Sequence, residues 1–75
     1  MTTPEKLLQC LLSGHATTTD LAAAVHVPAL TVRAMLRRHE TELRVTSQPW
    51  GDDTRWALTR AGLTQANALK DSILI

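Results

Sequence analysis

The sequence has 75 residues, a formal net charge of +1 at pH 7 and 44% hydrophobic residues, which suits one small domain. One cysteine, Cys10, excludes an intramolecular disulfide, and its spacing from the three histidines matches no zinc motif. No apolar run approaches the about 20 residues that span a bilayer, and no signal-peptide pattern begins the chain. We therefore expect a cytoplasmic protein without membrane contact.

The first predicted helix covers residues 4–12. Thr3 is placed as its N-cap, with Pro4 in the first turn and Glu5 near the positive end of the helix dipole. The leucines that follow recur at three- and four-residue spacing, which predicts one apolar face. Gly14 is typical of the residue just beyond a helix end.

Residues 17–39 predict a helix-turn-helix. Thr17 is followed three residues later by an acidic residue, the spacing of a capping box, and opens a helix over residues 17–25. Thr18 or Thr19 would also serve as the N-cap. Pro28 has no N–H, so it interrupts that helix, yet it suits the first turn of a second helix over residues 28–39. Two short helices joined by a tight turn are the layout of this DNA-binding motif.

The second helix of this pair has an apolar face and a basic face. The apolar face combines Val32, Met35, Leu36 and His39. Arg33 and Arg37 lie four residues apart on the other side, and residues 29–38 contain three arginines and no acid. This pattern predicts a local basic surface on a nearly neutral molecule.

A β-hairpin is predicted over residues 43–58, because the apolar period changes to two after Glu40. The two strands flank a turn cluster over residues 49–53. Leu43, Val45, Ser47, Thr54, Trp56 and Leu58 are the alternating positions, with Trp56 and Leu58 facing the core and Arg44, Thr46, Arg55 and Ala57 facing outward. Thr59 is placed as the cap of a last helix over residues 60–73, which carries Leu63 and Ala66 on its apolar face and is followed by an apolar end.

The segment from Val27 to Glu40 resembles the recognition helix of bacterial winged-helix repressors of the DeoR, GntR and MarR groups, roughly V-S-x-x-T-V-R-x-x-L-x-x-L-E. The matching positions are Val27, Thr31, Val32, Arg33, Leu36 and Glu40. Pro28 replaces the capping serine and His39 replaces a core leucine. Residues 58–62 resemble the L-T-x-x-G that follows the wing in MarR-type proteins, and Asp53 and Arg55 are similar to the wing tip of that group. These families carry a short strand before the second helix, which the composition of residues 15–16 does not show.

The resemblance spans residues 17–62 and implies an α+β fold, with one winged helix-turn-helix domain over residues 1–75. It implies a sequence-specific DNA-binding transcriptional regulator whose recognition helix reads the major groove and whose wing meets the backbone or minor groove. We expect Arg33 to meet a base edge and Arg37 and Arg38 to meet phosphates. The full set of expected DNA contacts is Thr17, Thr18, Ala29, Leu30, Thr31, Arg33, Arg37, Arg38, Arg44, Trp50 and Arg55.

Two other functions remain open. A winged helix that docks a protein is favoured by the low net charge, by exposed Trp50, by the acids Asp52 and Asp53 at the wing tip, and by the apolar end at residues 73–75. A DNA-binding fragment of a larger protein, such as a replication initiator, also fits the length. Arginines that converge on one face favour DNA, whereas arginines paired with nearby acids favour docking.

The expected partners are double-stranded DNA and a second copy of the chain, bound through the C-terminal helix. No phosphate-binding glycine loop, nucleophile motif or metal-ligand cluster occurs in the sequence. We therefore expect no enzymatic activity, no cofactor, no metal and no small-molecule ligand.

Overall fold

Four helices and one antiparallel hairpin follow one another in the computed structural model, which describes residues 2–74 and the side chains up to residue 69. The elements are α1 (Thr3–Leu12), α2 (Thr18–Val25), α3 (Ala29–Thr41), β1 (Val45–Trp50), β2 (Asp53–Leu58) and α4 (Arg60–Leu74). This α+β order confirms the predicted winged helix-turn-helix. None of the described helices is long and apolar enough to cross a membrane.

The core lies where the helices meet the inner face of the hairpin. It is formed by Leu7, Leu8, Leu11, Leu21, Val32, Leu36, Val45, Trp56 and Ala66. Trp56 is the largest of these side chains and is only 1% exposed, as the alternation in β2 predicts. Burial of a tryptophan removes 150–250 Å² from water, which stabilises a domain by about 4–6 kcal/mol. The wing is therefore joined to the helices by the core itself.

The first helix begins one residue earlier than predicted. Thr2, and not Thr3, is its N-cap, and Pro4 lies in the first turn. The carboxylate of Glu5 accepts hydrogen bonds from the Thr2 amide (3.0 Å) and the Thr2 hydroxyl (2.8 Å), which lower the pKa of Glu5. Gly14 follows the C-cap with a φ of 109°, as expected for a residue that leaves a helix in the left-handed region.

The turn between α2 and α3 is made by His26 and Pro28. His26 ends α2 in the left-handed conformation, with φ 58° and ψ 42°. Pro28 is the N-cap of α3 rather than a residue of its first turn, and it offers no side-chain hydrogen bond. The first amide groups of α3 consequently have no side-chain cap, because proline carries no acceptor where the resembling families have serine.

The hairpin is tighter than the sequence pattern predicts. Trp50 pairs with Asp53 and Pro49 pairs with Thr54, so these four residues belong to the strands and only two residues form the loop. Gly51 opens that loop with a φ of 61°, which glycine adopts at little cost. The turn-forming residues over 49–53 therefore predicted a longer turn than the two-residue loop that the structure shows.

Leu43 does not belong to the wing. It leaves α3 in the left-handed region with φ 65° and is 73% exposed, so the prediction of an inward-facing strand residue is wrong. The strand begins at Val45, which is 2% exposed. α3 ends and β1 begins within a few residues of Leu43. Leu43 has the left-handed conformation of a residue that follows a helix, and not the extended conformation of a strand residue.

A single bridge connects the wing to the segment before α2. Thr17 pairs with Arg55 as an isolated antiparallel bridge, and the amide of Trp56 donates to the carbonyl of Ala16 at 2.7 Å. This bridge occupies the place where the resembling families carry a short strand. It fixes the base of the wing against the N-terminus of α2.

The last helix is capped as predicted, with the hydroxyl of Thr59 accepting from the amide of Gly62 at 3.1 Å. A Cβ at Gly62 would lie 1.8 Å from the carbonyl oxygen of Arg44, so close packing requires glycine there. Ala66 is fully buried, but Leu63 is 43% exposed and does not join the predicted apolar face. The expected dimer contact at residues 73–75 lies outside the described side chains.

Candidate nucleic-acid interface

The N-terminal half of α3 presents an exposed face. Val32 and Leu36 point into the core with no exposed area, so helical geometry turns Leu30 and Arg33 away from it. Leu30 is 81% exposed, more than any other large apolar side chain among the described residues. The neighbouring Ala29 and Thr31 are exposed as well. Four of the predicted contact residues thus lie together on one accessible surface.

This surface continues into a shallow depression of about 280 Å³. The depression lies where the N-termini of α2 and α3 meet the tip of the wing. It is lined by Thr18, Thr19, Ala29, Leu30, Arg33, Asp52, Asp53 and Thr54. The depression therefore brings the guanidinium of Arg33 and the apolar side chain of Leu30 close to the two acids of the wing tip, Asp52 and Asp53.

Arg33 is the arginine of α3 that remains available for an external partner. Among the residues with described side chains, no carboxylate lies within ion-pair distance of it. Its side chain lines the depression together with Leu30, three residues before it in the helix. The role of Arg33 as a reader of base edges stays a prediction.

Arg37, one turn later, is exposed but makes contacts with α3, β1 and β2 of its own chain. Its guanidinium lies 2.9 Å from the Glu40 carboxylate, 3.2 Å from the Ser47 hydroxyl and 5.1 Å from the centre of the Trp56 ring. The Ser47 hydroxyl also donates to Glu40, and these two partners lower the pKa of Glu40. These contacts join α3 to β1, and because the Arg37 side chain is still 46% exposed, its contact with phosphate stays a prediction.

Arg38 and Arg44 share one acid, Glu42. Arg38 is highly exposed and lies 3.7 Å from this carboxylate, whereas Arg44 lies 3.0 Å from it. Arg44 was predicted to face outward from the hairpin, but it is half-buried at the end of α3. Exposed ion pairs contribute about 0–1 kcal/mol, so phosphate can replace Glu42 at little cost.

His39 fills the position of the core leucine in the family pattern. It is 5% exposed, and its Nε2 lies 2.9 Å from the carbonyl oxygen of Pro4. A carbonyl only accepts, so Nε2 carries the proton, and Nδ1 faces the guanidinium of Arg44 at 3.4 Å. The prediction that His39 lies at the core edge is confirmed, and its two nitrogens join α3 to the start of α1 and to Arg44.

The threonines before α2 have different environments. Thr17 is partly exposed, and its hydroxyl accepts from the amide of Asp20 at 3.2 Å, which confirms the predicted cap. Asp20 does not complete a capping box, because its carboxylate turns to His15 at 3.1 Å. Thr18 is 6% exposed, and its hydroxyl accepts from the indole N–H of Trp56 at 2.8 Å. The expected DNA contact through the Thr18 side chain is therefore corrected.

Asp53 lies against α2 rather than at a free wing tip. Its carboxylate accepts from the amide of Thr19 at 3.2 Å and from the amide of Thr54 at 2.7 Å. Hydrogen bonds from Thr19, through its side chain and its amide, and from Thr54 lower the pKa of Asp53 to about 2. Sequence reasoning missed this role, although an acid at a helix N-terminus is a known stabilising arrangement. Asp52 alone remains as an exposed acid at the tip.

The outer face of the wing carries an aromatic and basic pair. Trp50 is 51% exposed, and the guanidinium of Arg55 lies 4.7 Å from the centre of its ring. The strand register places Gln48 opposite Arg55. Both Trp50 and Arg55 therefore reach solvent, as predicted, although the two side chains stack on each other.

The residues with described side chains include no group of three histidine, cysteine or acidic side chains that could hold a metal ion. Cys10 is partly buried, and this burial raises the pKa of its thiol. His15 and His39 hydrogen-bond to other residues of the chain, His15 to Asp20 and His39 to the carbonyl of Pro4.

The order of the helices, the two helices α2 and α3 joined by a tight turn, and the hairpin after them define a winged-helix domain. No protein-family model matches the sequence, and no curated protein matches it. Solved structures do match. The MepR–DNA complex of Staphylococcus aureus superposes with a TM-score of 0.82 and 19% identity, over 95% of this chain and 62% of that one.

Two further structures agree with this result. AF1382 from Archaeoglobus fulgidus superposes with a TM-score of 0.86 and 21% identity, over 95% of this chain and 84% of that one. ZitR of Lactococcus lactis, a zinc-responsive MarR family member, gives a TM-score of 0.82 and 18% identity, over 95% and 51%. The resemblance to MarR-type winged helices is thus confirmed at the level of fold. The chain spans 56–62% of the MepR chains.

Proposed function

We propose that this protein binds double-stranded DNA in a sequence-specific manner and regulates transcription. The observation that supports this most directly is the exposed N-terminal half of α3, where Arg33 has no carboxylate partner among the described side chains and faces a depression next to the wing. The fold supports it as well, because the similar MepR structure was solved in complex with DNA. MepR itself is a transcription regulator of a multidrug efflux pump.

In the proposed complex α3 enters the major groove with Arg33 donating to a guanine, the commonest specific contact in such interfaces. Ala29, Leu30 and Thr31 meet neighbouring base edges. Thr17, at the start of α2, approaches a phosphate across the groove. These contacts place the depression over the DNA rather than over a small ligand.

The remaining basic residues follow the backbone. Arg38 and Arg44 exchange Glu42 for phosphates, and Arg55, with Trp50 beside it, lies along the backbone or the minor groove. In the proposed complex the Thr18 side chain stays buried against Trp56, and Arg37 keeps its exposed ion pair with Glu40.

The proposed partner besides DNA is a second copy of the chain. One winged helix makes few base contacts, and two-fold dimers match palindromic sites. Sedimentation equilibrium at high protein concentration, with and without DNA, tests this point. A monomer under both conditions would contradict it. Localisation in the cytoplasm remains part of the same proposal.

The test of DNA binding is the affinity for random-sequence duplex at two salt concentrations. We expect steep weakening with salt, because phosphate contacts release counterions, and a lower affinity for Arg33→Ala. Lys6→Ala removes one exposed cation from α1, outside the interface, and is the matched control. Site selection from a random library then gives the preferred sequence. Failure of the wild type to bind at low salt would contradict the proposal.

A second candidate is a winged helix that docks another protein. It is favoured by the pairing of Arg37 with Glu40 and of Arg44 with Glu42, and by the exposed acid Asp52 at the wing tip. Substitution Asp52→Asn discriminates between the two functions. It raises the affinity for duplex DNA if the tip approaches phosphate, whereas a protein that only docks a protein partner binds no duplex before or after the substitution.

A further inference from the structure

We propose that Leu30 reads the 5-methyl group of a thymine that lies within two base pairs of the guanine contacted by Arg33. The inference rests on the proposed DNA-binding function and specifies the class of sequence that the site prefers. It assigns a specificity role to an apolar side chain, in addition to the arginine. Thymine is the base that offers a methyl group in the major groove.

The exposure of Leu30 is the first observation. With 81% of its surface accessible it gains nothing from the core, although Val32 and Leu36 on the same helix are fully buried. Single exposed leucines are common on protein surfaces, so exposure by itself does not indicate a site. The surroundings of Leu30 are therefore decisive.

Those surroundings differ from the environments of the other exposed leucines. Leu30 lines the depression together with Arg33, between the N-terminus of α2 and the wing. Leu43 lies at the exit of α3, and Leu63 lies on α4, and neither lines this depression. Among the exposed leucines with described side chains, Leu30 is thus the one that lines the depression beside Arg33.

The spacing along α3 sets the distance between the two bases. Residues three apart on a helix have Cβ atoms about 5–6 Å apart. Base pairs follow one another at about 3.4 Å along the duplex. Leu30 and Arg33 therefore reach bases one or two steps apart, and the preferred site contains a thymine that close to the guanine.

Apolar contact with the methyl group gives a measurable preference. Burial of one methyl group corresponds to about a fourfold change in affinity. Replacement of thymine by deoxyuridine removes this group and leaves the Watson–Crick pairing intact. We therefore expect about a fourfold loss of affinity at one thymine of the preferred site, and smaller losses at the others.

The experiment is a double-substitution cycle on the selected duplex. Wild-type protein, Leu30→Ala and Leu63→Ala are each titrated with the thymine duplex and with the single deoxyuridine duplexes. Leu63→Ala removes an exposed leucine from α4 and is the matched control. The proposal predicts that Leu30→Ala loses the fourfold discrimination, while Leu63→Ala retains it.

Three outcomes overturn the inference and one of them also overturns the proposed function. If wild-type protein binds no duplex at low salt, both fail. If binding requires Arg33 but every deoxyuridine duplex binds as well as the thymine duplex, DNA binding stands and the role of Leu30 fails. If Leu30→Ala still discriminates between thymine and deoxyuridine, another group reads the methyl group and the role of Leu30 again fails.

Discussion

Arg33 and Arg37 lie one turn apart on the same helix, yet their surroundings differ. Arg33 faces an open depression and has no carboxylate within ion-pair distance among the described side chains. Arg37 lies between Glu40, Ser47 and the ring of Trp56. Arg33 has no acidic partner among the described side chains, and Arg37 connects α3 to the wing.

The difference between Arg33 and Arg37 shows that the spacing of arginines along a helix does not establish which of them can bind a partner. The positions of both arginines on one side of α3 were correctly predicted from their spacing, but spacing does not show which donors are already used. The acid three residues after Arg37 and the serine in the next strand decide its role. Arg33 is followed three residues later by the buried Leu36, which offers no acceptor.

The largest expected effect comes from removing the ring beneath Arg37. Trp56→Ala deletes the largest buried side chain and leaves Thr18 without its indole partner. We expect a loss of about 3–5 kcal/mol in the free energy of unfolding, enough to unfold much of a domain of this size. Urea unfolding followed by circular dichroism measures it.

Trp56→Phe serves as the control for this change. It keeps an aromatic ring and loses the hydrogen bond to Thr18, so we expect a smaller loss, about 1–2 kcal/mol. Equal losses for the two variants would contradict the view that the ring, and not its N–H, joins the wing to the helices.

The second-largest expected effect is the loss of DNA affinity in Arg33→Lys. Arg33→Lys keeps the positive charge but removes the planar fork that binds guanine through two hydrogen bonds. We expect the affinity for the selected site to fall by about 1–3 kcal/mol, with the salt dependence of binding retained. The measurement is a titration of specific and random duplex.

Arg38→Lys is the matched control, because Arg38 is exposed on the same helix and meets a single acid. A phosphate contact tolerates lysine, so its affinity should change little. Equal losses for Arg33→Lys and Arg38→Lys would mean that Arg33 also contacts only the backbone.

Much of the fold follows from local patterns in the sequence. The apolar period of α3, the alternation around Trp56 and the capping of α4 by Thr59 are each set by neighbours within a few residues. Contacts between distant segments were not visible in this way. Examples are the bond of Asp53 to the N-terminus of α2 and the close packing of Gly62 on Arg44.

The same limit applies to the candidate site. The exposure of Leu30 and Arg33 follows from helix geometry once the buried positions are known. The burial of Thr18 does not, because its partner Trp56 lies 38 residues away in the sequence. A run of three threonines therefore indicated a helix cap but not which hydroxyl faces the core.

A smaller effect concerns the connection between the wing and α2. Asp53→Ala removes the acceptor that binds the amides of Thr19 and Thr54, and we expect a loss of about 1 kcal/mol at pH 7, as for a lost helix cap. The pKa of Asp53 is lowered from 3.8 to about 2 in the folded protein. Its contribution is therefore complete above pH 3.8 and is lost as the pH falls towards 2.

Unfolding titrations of wild type and Asp53→Ala between pH 2 and pH 7 test this dependence. The two free energies should converge at the acidic end. Asp52→Ala is the control, since Asp52 is exposed at the tip and should change stability by less than about 0.5 kcal/mol at any pH. A constant difference between wild type and Asp53→Ala across the whole range would contradict a role for the charged carboxylate.

The smallest expected effect is that of substituting Arg37. It tests whether Arg37 only stabilises the fold or also binds a phosphate. Arg37→Ala removes an exposed ion pair and a cation–π contact, so we expect about 1 kcal/mol less stability. Since Arg37 keeps its pairing with Glu40 in the proposed complex, the dependence of DNA affinity on salt should stay unchanged. If the slope of log affinity against log salt instead falls by about one unit while stability is unaffected, Arg37 leaves Glu40 and binds a phosphate in the complex. The ion pair would then be a property of the unbound protein, and the two arginines would serve the same surface.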